Sequence, residues 1–304
     1  MALPDPLDAS ARDLPPAASA ALDDPPAADE DVVTSDGIPF AVRGWGPRDA
    51  PPLLLLHGVT ASSRIWWRVG PALAAGLGRR VIAVDQAGHG RTGHWHGGVA
   101  FRANARFVAA FVVAAGLARD DVVIVGHSWG GMTLAALPAV GLRPAISVLL
   151  DPPAAPARTM VAMLDDPADG HQDDVDAAVR ILGAAHPTWS WGDLTGKAEA
   201  LTQFDEAAVR AILGDNGAWD GGVAELRELA ETAGRAATEQ VRLVRGAPAA
   251  GGLVPDETTA EIARLIGEEH VTTIAGGTHA PMRTRPEATT VALIRAIDPA
   301  ASGR

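Results

Sequence analysis

Short apolar runs alternate along this chain with longer segments in which apolar residues recur at helical spacing. Leu53–Leu56, Val81–Val84 and Val122–Val125 are apolar throughout, and Ile146–Leu150 is nearly so. Runs this short with no polar alternation predict strands covered on both faces. Val241–Val244 and Val271–Ile274 add two late strands, and Asp31–Thr34 and Pro39–Arg43 flank Ser35-Asp36-Gly37 as a hairpin. Helical patterns lie between them, around Trp66–Leu77, Phe101–Ala115, Thr258–Ile266 and Pro286–Ile297. Strands that alternate with helices predict an α/β fold, with a mostly parallel central sheet wrapped by helices.

From about Pro152 to Arg235 that rhythm breaks into a helix-rich stretch carrying several tryptophans. Inserted after the sixth strand, it is expected to form a cap (152–235) over a core made of 31–151 and 236–304. Open α/β sheets bind ligands at the C-terminal ends of their strands, so a cap there shapes the pocket. Residues 1–30 are rich in Ala, Pro and Asp and are expected to be a disordered tail or one draped over the domain.

The chain has 304 residues, 47% of them hydrophobic, enough to bury a sizeable core, and a formal net charge of −12. That charge argues against nucleic acid or an anionic membrane as partner. A small-molecule substrate fits better, and oligomeric state stays open. Cysteine is absent, which excludes disulfides, thiolate catalysis and Cys-bound zinc. No apolar run approaches the roughly 20 residues that cross a bilayer, and the N-terminus has no secretory pattern, so the expected location is cytoplasmic. The Gly-rich stretches match neither a Rossmann nor a P-loop fingerprint, so no cofactor is expected. His94 and His96, near Asp85 and His89, show no ligand spacing, so no metal is expected either.

The chemistry concentrates at Gly126-His127-Ser128-Trp129-Gly130. This stretch follows an apolar strand and precedes the helical run Gly131–Leu137, so it reads as strand, sharp turn, helix with a serine at the apex. Small residues two positions either side let strand and helix approach. The turn lifts the hydroxyl clear of the sheet, beside a helix N-terminus that stabilises negative charge. His127 is expected to project away from Ser128 and to be structural.

Five landmarks in order make the chain resemble the α/β-hydrolase superfamily. They are the hairpin, Leu53–Leu56 with His57-Gly58, Asp85-Gln86-Ala87-Gly88-His89-Gly90, the serine turn, and Gly276-Gly277-Thr278-His279. The resemblance covers roughly residues 31 to 298. It implies an α/β-hydrolase fold with a helical lid after the sixth strand, and a base, His279, on the loop after the last core strand. The commonest position for the triad acid, just after the seventh strand, reads Gly246-Ala247-Pro248-Ala249-Ala250-Gly251 and holds no carboxylate before Asp256. Some relatives carry the acid directly after the sixth strand, where Asp151 stands. Asp151 is therefore favoured, with Asp256 as the alternative acid. The resemblance further implies an oxyanion hole made by the backbone N–H groups of Val59 and Trp129. Trp189, Trp191, Met132 and Arg91 are candidates for substrate contact, and Trp66 and Trp67 are looser ones. The implied activity is a serine hydrolase cleaving a carboxylic ester or lactone, with an apolar or aromatic group suggested by Trp189-Ser190-Trp191. The alternatives are a C–C bond hydrolase of aromatic catabolism and a non-catalytic small-molecule-binding protein on the same scaffold. Serine at the elbow counts against the haloalkane dehalogenase and epoxide hydrolase relatives, which use aspartate there.

Overall fold

Leu53 and Leu55 enter the core on one face of a central sheet, and Leu54 and Leu56 enter it on the other. All four are fully out of solvent, as alternating side chains must be when both faces are covered. The computed structural model describes residues 3–93, 98, 100–216 and 218–300. Its sheet-forming strands begin with β1 (Asp29–Ser35), β2 (Ile38–Trp45), β3 (Pro52–Leu56), β4 (Arg80–Val84), β5 (Val123–His127) and β6 (Ile146–Leu150). A two-residue ribbon, β7 (Ala154–Ala155) with β8 (Trp219–Asp220), follows, and then β9 (Val241–Gly246) and β10 (Val271–Ile274). The main sheet has eight strands in the order β1-β2-β4-β3-β5-β6-β9-β10. Within it, among the described residues, only the β1–β2 and β2–β4 pairs are antiparallel.

The parallel register sets up the site. Leu56 lies opposite Gly126, His127 opposite Leu150, and Leu150 opposite Val244. The C-terminal ends of β3, β5 and β6 therefore finish within a residue of one another, and β9 runs two residues further. That places the loops beginning at His57, Ser128, Asp151 and Ala247 along one edge of the sheet, where open α/β sheets bind ligands.

Helices α1 (Pro16–Asp23) and α2 (Val69–Leu77) cover one face, and α3 (Phe101–Ala114) and α4 (Trp129–Ala136) the other. Between β6 and β9 run α5 (Ala157–Ala162), α6 (Val175–Ala185), α7 (Trp191–Thr202), α8 (Glu206–Asp215), α9 (Val223–Ala233) and α10 (Arg235–Thr238). Three of these start on side-chain caps. Asp174, Ser190 and Asp205 accept from the backbone N–H of Ala177, Asp193 and Ala208. Helices α11 (Asp256–Ile266), α12 (Pro281–Thr284) and α13 (Pro286–Ile297) complete the chain. α11 joins the α3–α4 face and α13 the α1–α2 face. No helix among the described residues is long and apolar enough to cross a membrane.

Of the two expectations for the N-terminal segment, residues 3–30 do not follow the disordered tail and lie against the domain. Ala18 and Leu22, four residues apart, form one apolar face of α1, which packs against α2 and α13, and Leu14 just ahead of the helix is buried in the same core. Ahead of them, Leu7 bridges in parallel to Ile274 at the free edge of β10, with Leu7 N–H donating to Thr273 O at 2.7 Å. A few well-placed larger apolar residues hold a segment rich in Ala, Pro and Asp. The helix read around Trp66–Leu77 also divides. Trp66 ends a short 3-10 turn (Ser63–Trp66) with its ring wholly buried, and α2 starts only at Val69.

Candidate active site

The serine turn is dictated by its neighbours. Ser128 has φ 55° and ψ −122°, in the region with positive φ that L-residues avoid. A Cβ on Gly126 would run into the carbonyl of Gly130, and one on Gly130 would sit 2.7 Å from His57 O. Both glycines are therefore needed for β5, α4 and the end of β3 to close on one another. Ser128 N–H donates to Leu150 O at 2.9 Å, which ties the apex to the next strand.

Ser128 Oγ donates to His279 Nε2 at 2.9 Å, and His279 Nδ1 donates to Asp151 Oδ2 at 2.7 Å. His279 reaches this point from the loop after β10, and Asp151 from the end of β6. Asp151 is fully buried, with φ 46°. Its carboxylate also accepts from Gly246 N–H and Leu253 N–H, each at 2.9 Å. These bonds anchor a charge that would otherwise be expensive to bury. His127 Nε2 donates to the backbone carbonyl of His279 at 2.8 Å. It does not project away from the serine as expected. It lines the same cavity and holds the His279 loop, because β5 keeps its ring beside that loop at 4.9 Å between centroids.

The loop after β3 completes this corner. His57 Nδ1 donates to Gly58 O at 2.7 Å, and Nε2 accepts from Gln86 N–H at 2.9 Å, so the ring is the neutral Nδ1–H tautomer. Burial lowers its pKa, with the nearby Asp85 carboxylate opposing. Asp85 accepts from Ser63 N–H at 2.7 Å and from Arg91 N–H at 3.0 Å. Gly90 has φ 56°, and a Cβ there would strike the Asp85 carboxylate, which accounts for Asp85 through Gly90 as a loop-building motif. The described residues other than glycine with positive φ are Asp36, Thr60, Ser128 and Asp151. Three of the four lie at this site, where backbone strain commonly collects.

Ser128, His127 and His279 open onto a cavity of about 250 Å³. The core supplies Val59, Thr60, Ile65, Leu253 and Thr278 to its wall, the segment between β6 and β9 (the expected cap) supplies Met160, Met163, Asp169, His186, Trp189 and Lys197, and α12 supplies Arg283. Lys197 is buried, and its Nζ donates to Thr60 O at 3.1 Å, Thr60 Oγ1 at 2.9 Å and Asp169 Oδ1 at 2.7 Å. Burial pulls its pKa down while Asp169 opposes. Burial alone would raise Asp169, but the ammonium beside it holds it below the ordinary carboxylate range. A cap lysine thus pins the loop that carries Val59. Trp67 Nε1, donating to Asp193 at 3.0 Å, and Arg64, paired with Glu199 at 2.9 Å, fasten α7 to the core close by.

Of the expected substrate contacts, the structure brings only Trp189 to the cavity. Trp191 is 71% exposed. Two residues apart at a helix start, the two tryptophans leave in different directions. Met132 is buried in the core, because α4 is enclosed on every side. Arg91 pairs with Glu30 at 3.0 Å near the β1 hairpin. Asp256 opens α11 and pairs with Arg245 at 2.6 Å, so it does not meet His279. Trp66 is core, and Trp67 holds the cap. His94 and His96 lie outside the described residues. Lys197, Asp169, His186 and Arg283 were not foreseen. The available signal for Lys197 was its spacing, four residues after Asp193 and four before Leu201, on a helix face that is buried.

Residues 53–293, well over half of the chain, match the Alpha/beta hydrolase family, and the chain belongs to that family. It is similar to a bifunctional esterase/perhydrolase of Acinetobacter calcoaceticus, 39% identical over 100 residues, or 33% of this chain and 35% of that one. A lipase of Mycobacterium tuberculosis is 34% identical over 160 residues, 52% of this chain and 58% of the relative. The chain thus spans less than two thirds of the length of these curated relatives. Among solved structures, an esterase from Rhodococcus sp. superposes with a TM-score of 0.65 at 24% identity, covering 90% of this chain and 98% of that one. An E-2-(acetamidomethylene)succinate hydrolase gives 0.68 at 23% identity, covering 89% and 99%. At these identities the structural likeness carries the fold.

Proposed function

We propose that this chain is a serine hydrolase that cleaves a carboxylic ester or lactone through an acyl-enzyme, with Ser128 as nucleophile, His279 as base and Asp151 as the acid that orients it. The observation that carries this reading is the unbroken line of hydrogen bonds from Asp151 through His279 to Ser128, at a strained turn facing a cavity. A serine hydroxyl is a poor nucleophile unless a base takes its proton. Here Nε2 accepts that proton as Oγ attacks the carbonyl carbon. Nδ1–H stays on Asp151, whose carboxylate stabilises the imidazolium. The backbone N–H groups of Val59 and Trp129 receive the oxyanion. His279 then protonates the leaving alcohol, and in the second half it deprotonates water to release the acid and restore Ser128. The names of two curated relatives, an esterase/perhydrolase and a lipase, support the ester bond. Met160, Met163, Trp189 and Leu253 give the wall an apolar stretch for a short chain or a ring.

The test is turnover of 4-nitrophenyl acetate and butanoate by wild type and Ser128→Ala. Hydrolysis that falls by about 10⁴-fold or more in the variant supports the reading. Equal rates overturn it. Turnover of a ring-cleavage dienoate without any ester turnover would keep the nucleophile and change the bond.

A further inference from the structure

The chain as a whole is strongly acidic, yet the wall around Ser128 carries two cations, Lys197 and Arg283, against one carboxylate, Asp169. Lys197 already has that carboxylate at 2.7 Å. Arg283 has no such partner. Among the described residues its guanidinium makes no ion pair and no hydrogen bond, and its Nε is buried without an acceptor. Burial lowers its pKa, while Asp193 and Asp169 oppose from beyond ion-pair distance. Asp193 is itself engaged by Trp67 Nε1 and Ser190 Oγ.

Arg283 is nevertheless firmly placed. Its Cζ sits 4.6 Å from the ring centre of Trp189, and Trp189 stacks on His186 at 3.9 Å with an 8° interplanar angle. A guanidinium stacked on an aromatic face keeps its N–H edge free, and that planar fork matches a carboxylate. The terminal N–H groups remain open to an acceptor from the cavity, and with no protein partner of its own the guanidinium gains from one. A single guanidinium without an ion-pair partner matches one negative charge. A dianionic phosphate would leave a charge over, in a wall that already holds Asp169. The cavity lies below the usual size range for drug-sized ligands, so the chain between the two groups is short.

We propose that Arg283 binds a carboxylate, and that the natural substrate of the Ser128 site is a small ester bearing a second, ionised carboxyl group. This rests on reading the site as an ester hydrolase. A site with a buried hydrogen-bonding group rejects an isostere that leaves it unpaired.

The experiment compares matched esters that differ only in that group. Monomethyl glutarate is set against methyl 5-methylhexanoate, with the charge on the acyl side. 4-Acetoxybutanoate is set against 4-methylpentyl acetate, with the charge on the alcohol side. In at least one pair the expected kcat/KM favours the anionic ester by about tenfold or more. Arg283→Gln is expected to erase that preference, and Arg283→Lys to keep part of it. Calorimetric titration with glutarate reads the anion site without turnover, and Arg283→Gln is expected to weaken it by about tenfold. Ester hydrolysis with no preference for the anion overturns the inference and leaves the hydrolase standing. A preference that survives Arg283→Gln also overturns it. Glutarate binding lost in Arg283→Gln, in a protein that hydrolyses none of the four esters, supports the anion site and overturns the hydrolase. Absence of both hydrolysis and binding overturns both.

Discussion

The two walls of the Ser128 cavity are built by different means. On the core side, main-chain geometry does the positioning. Glycines at 126 and 130 permit the elbow, and strand ends within a residue of one another bring His57, Ser128 and Asp151 together. Backbone N–H groups then hold the Asp151 carboxylate. On the cap side, long side chains do it. Lys197 reaches across to Thr60 while holding Asp169, and Trp189 packs against Arg283, which α12 sends up from the core. Backbone geometry constrains residue type at set spacings. A side chain of several bonds reaches its partner from many positions. The core wall therefore suits a fixed reaction, and the cap wall suits a variable substrate.

Substitutions in the two walls sharpen this contrast. The largest effect is expected at Asp151. Asp151→Asn keeps the shape but no longer stabilises the imidazolium, and kcat should fall by about 10⁴-fold. A loss of less than tenfold in steady-state kinetics would break the assignment. On the cap side, Lys197 acts on the Val59 loop only through Thr60. Losing one oxyanion donor outright costs about 10²–10³ in kcat, so the indirect effect of Lys197→Met should be nearer tenfold. A Lys197→Met enzyme with unchanged kcat would uncouple the cap from the oxyanion loop.

A third prediction concerns acid. Burial lowers the pKa of His57 and His127, and that of His89 is pushed down to about 3. In the unfolded chain these rings take up protons near pH 6.5, so below that the unfolded state binds more protons than the folded one. Stability is fully present above about pH 6.5 and is lost as pH falls from there toward 3. Urea midpoints should therefore drop between pH 7.5 and 5. They should drop less steeply in His89→Phe, where one of the three rings is gone. The smallest effect is expected at Asp256. Its pair with Arg245 is exposed on the carboxylate side, so Asp256→Asn should shift stability by no more than about 1 kcal/mol and leave turnover within about twofold.

The same contrast explains what was legible in the sequence. Unbroken apolar runs marked the strands, because both faces of the sheet are covered. The elbow, Asp85 through Gly90 and the His279 loop were readable because sterics at a turn restrict residue type locally. Asp151 was readable as a strand-end carboxylate, and the glycines and prolines after β9 left no nearer acid. The cap wall was not readable. Trp191 and Met132 were plausible by residue type, yet helix geometry turns one to solvent and encloses the other. Lys197 becomes a cavity residue only through its contact with Thr60, a segment distant in sequence, and Arg283, on the core side, is fixed only by its distant contact with Trp189. The order of the N-terminal segment was not readable for a related reason. Its composition is rich in Ala, Pro and Asp, but the placing of Leu14, Ala18 and Leu22 against the core is something average composition hides.

The most direct test of the account is labelling with a fluorophosphonate, read by intact mass and peptide mapping. The account predicts a single adduct on Ser128, formed rapidly in wild type and far more slowly in His279→Gln. A protein that stays unlabelled, or labels equally fast without His279, would contradict it.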